Sequence, residues 1–128
     1  MNIPEMPSVQ KKIALELCSI KLYSTGLKKV FTNHFYKSMN HNFGVEIVIR
    51  NNTPKTQNII IGGCVYDSEG QTVIRWNTRK VMSANSRMRS DFYVNEDRFS
   101  TMKEGKYKIQ FWINNQKVQK EFFTVTYK

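Results

Sequence analysis

The sequence predicts an all-β fold, an antiparallel Greek-key β-sandwich, from three observations. Short stretches rich in β-branched and aromatic residues alternate between apolar and polar positions, as half-buried strands do. Turn-forming residues separate about seven to nine such stretches at intervals of about 8–12 residues. The sequence does not alternate between helical and strand patterns, and such alternation would indicate a parallel sheet. At 128 residues the chain has the length of one domain with its own core.

The strongest local signal is a hairpin over residues 105–125. Residues 114–116 are Asn-Asn-Gln, which is typical of a turn between two strands. The first strand alternates strictly, and the residues predicted to point inward are Tyr107, Ile109, Phe111 and Ile113. The residues predicted to point outward are Lys106, Lys108, Gln110 and Trp112.

The second strand of this hairpin leaves two outcomes open. If Val118 points inward and the alternation continues, Lys120 is buried and Phe123 is expelled to the outer face. A bulge near Lys120 returns Phe123 to the core. Without the bulge, an apolar stripe forms on the outer face from Trp112, Phe123, Val125 and Tyr127.

The N-terminal part is less regular. We interpret residues 1–10 as a flexible leader or linker and residues 11–128 as the sandwich domain. The apolar positions of the first predicted strand, residues 11–23, change phase after Leu17, which predicts a bulge or a crossing between sheets. A helix is the alternative there. Residues 28–42 show no regular pattern.

The middle of the chain contains further strands. Residues 59–66 are nearly all apolar, as in a strand covered on both faces, and their Gly62-Gly63 pair predicts a bulge or a close backbone approach. We expect Gly70 in the left-handed conformation of a hairpin turn. The remaining predicted elements are strands at 45–50, 72–76, 81–82 and 87–94, and one helical turn within 95–104.

Cys18 and Cys64 lie in predicted strands, and we expect two buried thiols that act as small hydrophobic groups. A disulfide between the sheets is the alternative. We expect no metal and no cofactor, because no Cys/His grouping has zinc spacing and no phosphate-binding loop is present. No stretch approaches the ~20 apolar residues of a membrane helix. Without a secretory signal we expect a cytoplasmic chain, or an extracytoplasmic one if it was cut from a longer precursor.

The formal net charge is +10, and its distribution favours acidic partners such as nucleic acid, an acidic protein surface or anionic lipid. A solvated basic surface with no dedicated partner is the default interpretation. Residues 71–90 contain no acidic residue. If the basic residues of this interval cluster across neighbouring strands, they form one surface suited to nucleic acid. The candidates are Arg75, Arg79, Lys80, Arg87 and Arg89.

Enzymatic activity is not expected. His34 and His41 are the two histidines, and no sequence signature marks a nucleophile beside either of them. Glu96 and Asp97 are adjacent, which is poor geometry for a pair of carboxyl groups that must flank one glycosidic bond.

Residues 13–125 resemble the immunoglobulin-like or fibronectin-III-like accessory modules of bacterial multidomain proteins. The resemblance rests on the Asp-Ser-Glu-Gly turn at 67–70, the Gly-Lys-Tyr entry at 105–107 and the closing Phe-Phe-Thr-Val at 122–125. The Gly-x-Tyr entry is similar to a tyrosine corner, in which the hydroxyl bonds to upstream backbone. The Cys…Trp…Cys pattern of antibody domains is absent. The resemblance implies binding, docking or spacing.

The predicted function is therefore a non-enzymatic, immunoglobulin-like interaction module that mediates protein–protein or interdomain contacts. Its docking surface is predicted from exposed aromatic and basic residues of the closing hairpin. These are Trp112, Lys106, Lys108 and Phe123. The alternative is a basic protein that binds polyanions such as nucleic acid through the faces at 75–89 and 21–37. A third class is a carbohydrate-binding module, which requires a row of exposed aromatic residues. The sequence leaves the oligomeric state open.

Overall fold

The computed structural model describes residues 14–25, 28–39 and 42–128, which form a two-sheet β-sandwich and confirm the all-β prediction. The predicted leader at 1–10 lies outside the described residues. In chain order the elements are β1 (Leu15–Thr25), β2 (Lys29–Phe31), β3 (His34–Tyr36), a 3₁₀ turn (Lys37–Met39), β4 (Asn42–Asn51), β5 (Gln57–Tyr66), β6 (Thr72–Met82), β7 (Arg87–Val94), α1 (Glu96–Ser100), β8 (Gly105–Ile113) and β9 (Gln116–Thr126).

The two sheets differ in size and in strand order. The four-stranded sheet has the order β2-β1-β4-β7, and the five-stranded sheet has the order β3-β9-β8-β5-β6. Strand β3 runs parallel to β9, whereas the other neighbouring strands are antiparallel. The chain changes sheet several times, so each sheet joins strands that are distant in sequence.

The core lies between the inner faces of the sheets, because apolar side chains recur at every second position of the central strands. The predicted inward set of β8 is confirmed, since Tyr107, Ile109, Phe111 and Ile113 are all at most 5% exposed. From the opposite sheet, β4 contributes Phe43, Val45, Ile47 and Ile49.

Strand β9 contains the bulge that decides the side on which Phe123 lies. Phe111 pairs with Gln119, but Trp112 pairs with Lys117, so Val118 is the extra residue. The predicted bulge near Lys120 is therefore confirmed, and it lies at Val118, two residues earlier. Phe123 is 2% exposed and stacks on Phe43 at 4.7 Å and on Tyr107 at 5.1 Å between ring centroids. The prediction that Phe123 belongs to an exposed docking surface is wrong, because the register break returns it to the core.

Strand β1 contains the predicted change of phase. Its pairing with β4 shifts between Leu17 and Ser19, so the alternative of a helix at this position is wrong. Cys18 is the bulged residue and is exposed, whereas we expected a buried thiol. Cys64 is buried as expected, and both cysteines are free, so no disulfide joins the sheets.

The loops follow the local chemistry of their residues. Asn114 and Asn115 have φ values of 49° and 69°, as a two-residue hairpin turn requires. Gly70 has a φ of 82°, so its predicted left-handed conformation is confirmed. The predicted helical turn is also present as α1, and its N-cap Asn95 accepts a hydrogen bond from the Arg98 backbone at 3.0 Å. No helix in the described part of the chain is long and apolar enough to cross a membrane.

Strand β6 is one continuous strand, not the two short strands predicted at 72–76 and 81–82. It pairs with β5 along its whole length, and its register shifts at Val65/Tyr66 instead of at the glycine pair. The predicted close backbone approach occurs at Gly63. A Cβ atom there would lie 2.1 Å from the Trp76 ring, so that ring can occupy the inner face only over a glycine.

Asn51 joins the two turns at one end of the sandwich. Its side chain is 0% exposed, and its amide donates to the backbone carbonyls of Lys55, Met82 and Ser83 at 2.9, 3.3 and 3.0 Å. Its carbonyl oxygen accepts from the backbone N–H and the hydroxyl of Thr53. A buried amide with its hydrogen-bonding capacity used in this way fixes both turns.

Removal of the Phe111 side chain tests the register of the core. We expect Phe111→Ala to lower the free energy of unfolding by about 3–5 kcal/mol through lost burial and an unfilled cavity. A urea titration measures the change. An unchanged urea midpoint would show that the inward face of β8 is assigned incorrectly.

Removal of the Asn51 amide tests its role at the turns. Asn51→Ala removes a buried side chain that donates to three backbone carbonyls and accepts from Thr53, so we expect a loss of about 3 kcal/mol in the free energy of unfolding. The matched control is Asn58→Ala, an exposed position of β5, which should change stability by less than about 0.5 kcal/mol. Equal effects of the two substitutions in urea would contradict the assignment.

Candidate functional site

The outer face of the five-stranded sheet carries the candidate site. Alternation in β6, β8 and β9 turns six cationic side chains to this side. We call it the basic face, defined by Arg75, Arg79, Lys106, Lys108, Lys117 and Lys120. Five of these residues are exposed and Lys108 is half-buried.

The pairing register arranges the basic face in rows across the strands. One row runs Lys120–Gln110–Cys64–Arg75, and the next runs Lys117–Trp112–Gly62–Asn77. Both rows therefore have cations or polar groups at their ends and a less polar centre. With strands about 4.8 Å apart, the Cα atoms at the ends of a row are separated by about 14 Å.

The basic face has no internal neutralisation. None of the outward side chains in the described strands of this sheet is acidic. The ion pairs between described residues all lie on the outer face of the other sheet, where Lys29 and Arg89 approach Glu46 and Asp91 at 2.7–3.7 Å. The positive charge of the basic face is consequently available to an external anion.

On the outer face of the four-stranded sheet, by comparison, the acidic groups are bonded to other groups of the protein. Tyr23 is 4% exposed and donates a hydrogen bond from its hydroxyl to Asp91 at 2.9 Å. Burial, reinforced by this bond to a carboxylate, raises the pKa of Tyr23 well above its usual range. Tyr23 therefore stays neutral, and the carboxylates on this face are already paired with protein groups.

The predicted polyanion-binding set is divided between the two sheets. Arg75 and Arg79 lie on the basic face, whereas Arg87 and Arg89 lie on the outer face of the four-stranded sheet. Lys80 is exposed on the edge strand β6, but alternation directs it to the other side from Arg79. The five residues do not form one surface, because β6 and β7 belong to different sheets.

The predicted docking set lies on the basic face except for Phe123. Trp112 points outward and is half-buried, and Lys106 and Lys108 lie along the same strand. Phe122, which sequence reasoning did not single out, points outward and is 61% exposed. Lys117 and Lys120 were also missed, and the side of the sheet on which Lys120 lies depends on the bulge at Val118.

Two of the shallow grooves on the basic face lie beside aromatic side chains. The first, of about 270 Å³, lies beside Trp112 above the bare backbone of Gly62, with Arg75 and Asn77 at its wall. The second, of about 400 Å³, lies beside Phe122 and Lys106. Each groove therefore combines an aromatic side chain with a cation.

The histidine that the structure describes is engaged in structural bonds. The ring nitrogens of His34 lie 2.8 Å and 3.0 Å from the hydroxyl oxygens of Thr124 and Thr126, across the β3–β9 pair. His41 lies outside the described residues. Within the described residues, no three His, Cys, Asp or Glu side chains are grouped to hold a metal ion.

No protein-family model matches the chain, and no curated protein matches it in sequence. Solved structures of similar fold exist at low sequence identity. The alkylpurine DNA glycosylase AlkC of Pseudomonas fluorescens, solved bound to DNA containing an abasic site analog, is 9% identical with a TM-score of 0.63, over 90% of this chain and 31% of that one. A β-glucosidase from Erythrobacter marinus is 10% identical with a TM-score of 0.64, over 87% and 15%.

A third similar structure is a β-glucosidase from Listeria innocua in complex with gluconolactone. It is 11% identical with a TM-score of 0.61, over 84% of this chain and 16% of that one. The chain thus spans less than a third of each of these three proteins. These similarities establish a shared sandwich fold.

Two adjacent phenylalanines test the register of β9 directly. Phe123→Ala should lower the free energy of unfolding by about 3–5 kcal/mol, because it opens a cavity among the core aromatic rings. Phe122→Ala removes an exposed ring and should change stability by less than about 0.5 kcal/mol. Urea titrations of both variants measure the difference, and a larger loss for Phe122→Ala would place the bulge elsewhere.

Proposed function

We propose that this chain is a non-enzymatic binding module of the immunoglobulin-like type, and that its basic face binds an acidic partner. The supporting observation is the segregation of charge between the two outer faces. The carboxylates Glu46 and Asp91 face Lys29 and Arg89 on one sheet. The cations of the basic face have no carboxylate among the outward side chains around them.

The immunoglobulin-like and Greek-key part of the proposal is supported by connectivity and by one hydrogen bond. The strand order joins β1, β4 and β7 in one sheet and β9, β8, β5 and β6 in the other, as in immunoglobulin-like sandwiches. The Tyr107 hydroxyl donates to the backbone carbonyl of Lys103 at 2.5 Å, which is the arrangement of a tyrosine corner.

A protein partner is the second candidate. Trp112 is half-buried, Phe122 is 61% exposed, and Val118 at the bulge is 37% exposed. Aromatic side chains within a polar surround are typical of protein-binding surfaces. A neighbouring domain is one such partner, since the similar structures are much longer than this chain.

Reversal of charge on the basic face tests the proposal. The variant carries Lys106→Glu, Lys117→Glu and Lys120→Glu, three exposed positions. We expect the unaltered chain to be retained on heparin–agarose at low salt and to elute as salt screens the contacts. The variant should pass through the column without retention.

The matched control carries Lys28→Glu, Lys55→Glu and Arg87→Glu, which are exposed positions away from the basic face. Each reversal removes two units of charge, so both triple variants fall from +10 to +4. The control should be retained better than the basic-face variant. Equal loss in the two variants would show that total charge, and not this face, governs binding.

A further inference from the structure

The aromatic side chains of the basic face are interleaved with its cations. Along β8 the outward order is Lys106, Lys108, Gln110 and Trp112, and Phe122 is the neighbour of Lys108 on β9. Trp112 and Phe122 are about 14 Å apart at their Cα atoms, given about 3.4 Å per residue along a strand and about 4.8 Å between strands. A protein-binding hot spot gathers its aromatic groups at one centre, whereas this face spaces them among the charges.

The groove beside Trp112 has room for a flat aromatic ring of a ligand. Its volume of about 270 Å³ corresponds to about nine water molecules. Gly62 forms the floor, where a Cβ atom would meet nothing nearer than the Trp76 carbonyl oxygen at 3.4 Å. A side chain at this position would therefore fit the fold and fill the groove, but glycine leaves the backbone bare beside the indole.

The positive charges beside the groove favour a ligand whose aromatic ring carries negatively charged groups. Arg75 borders the groove on one side, and Lys117 is the cross-strand neighbour of Trp112 on the other. Arg75 and Lys117 form no ion pair with any described residue. A ligand that places an aromatic ring on Trp112 and negative charge on both sides matches this arrangement, and a nucleotide within a chain has that chemistry.

The width of the surface disfavours entry into the major groove of a duplex. Five strands about 4.8 Å apart make a sheet about 19 Å wide, which is broader than the major groove of about 12 Å. In a duplex, moreover, the faces of the bases are covered by their neighbours. In a single strand the faces of the bases are accessible, and aromatic rings on a sheet can stack on them without unstacking a duplex.

We propose that the basic face binds single-stranded nucleic acid, with Trp112 and Phe122 stacking on bases and the six cations contacting phosphates. This inference rests on the proposed function, since it names the partner of the same face. The nucleic-acid strand runs across the rows of paired residues and passes both grooves. Binding tolerates different base sequences, because every base offers a flat face to an aromatic ring.

Fluorescence anisotropy with a labelled oligothymidylate of about 12 nucleotides tests the inference, using the full chain. We expect binding to the single strand to exceed binding to a duplex of equal length. The logarithm of the association constant should fall with the logarithm of the salt concentration, with a slope of about −3 to −4 for four to six neutralised phosphates. The basic-face triple variant should lose the binding.

Substitution of the tryptophan separates stacking from charge. Trp112→Ala should weaken oligothymidylate binding about tenfold or more and leave retention on heparin unchanged, because heparin has no bases. Trp112→Phe keeps an aromatic ring and should restore most of the affinity. Quenching of tryptophan fluorescence on binding should disappear in Trp112→Phe, since Trp76 is stacked on Phe92 inside the sandwich. Urea titrations confirm that both variants fold.

The possible contrary results point to different conclusions. If Trp112→Ala binds oligothymidylate as well as the unaltered chain while the triple variant loses both ligands, stacking is disproved and an acidic partner without bases remains. Stronger binding to the duplex also overturns the inference. If the unaltered chain binds neither oligothymidylate nor heparin at about 50 mM salt, the proposed function fails together with it.

Discussion

The register break at Val118 is the constraint on which both the core and the basic face depend. Side chains on a strand alternate with a period of two, so one extra residue exchanges the two faces for the rest of the strand. After the bulge, Phe123 and Val125 point into the sandwich, and Lys120 and Phe122 point to solvent. Without the bulge a lysine would be buried in the core and two apolar side chains would be expelled from it. Burial of these apolar side chains therefore favours the bulge, and the bulge determines which residues lie on the basic face.

Charge on the two outer faces follows from the same strand pairing. The four-stranded sheet places Glu46 of β4 between Lys21 of β1 and Asp91 of β7, so both carboxylates reach Lys29 and Arg89. On the five-stranded sheet the outward residues of β5 are uncharged, and cations lie on the strands to both sides of it, β6 and β8. Mutual repulsion of these cations costs stability, and a bound polyanion relieves it.

The sequence predicts the sandwich well because its signals are local. Alternation in β8 and the phase change in β1 each reflect the period of a strand, and the Asn114-Asn115 turn requires positive φ values that asparagine tolerates. The basic face was predicted only in part, because Arg75 and Trp112 are 37 positions apart in the chain. Their proximity depends on β5 lying between β6 and β8, and no local pattern encodes that order. Arg87 was misassigned for the same reason: it is near Arg75 in sequence but in the other sheet.

The Gly62-Gly63 pair connects the core to the basic face. Alternation places the two glycines on opposite sides of β5, so each lacks a side chain for a different reason. On the inner side, Gly63 makes room for the Trp76 ring, which stacks on Phe92 with centroids 4.0 Å apart and links the two sheets. On the outer side, Gly62 leaves the groove beside Trp112 open although a larger residue would fit. Packing therefore accounts for Gly63, whereas a Cβ atom would fit at Gly62, and the inferred binding site supplies a reason for glycine there.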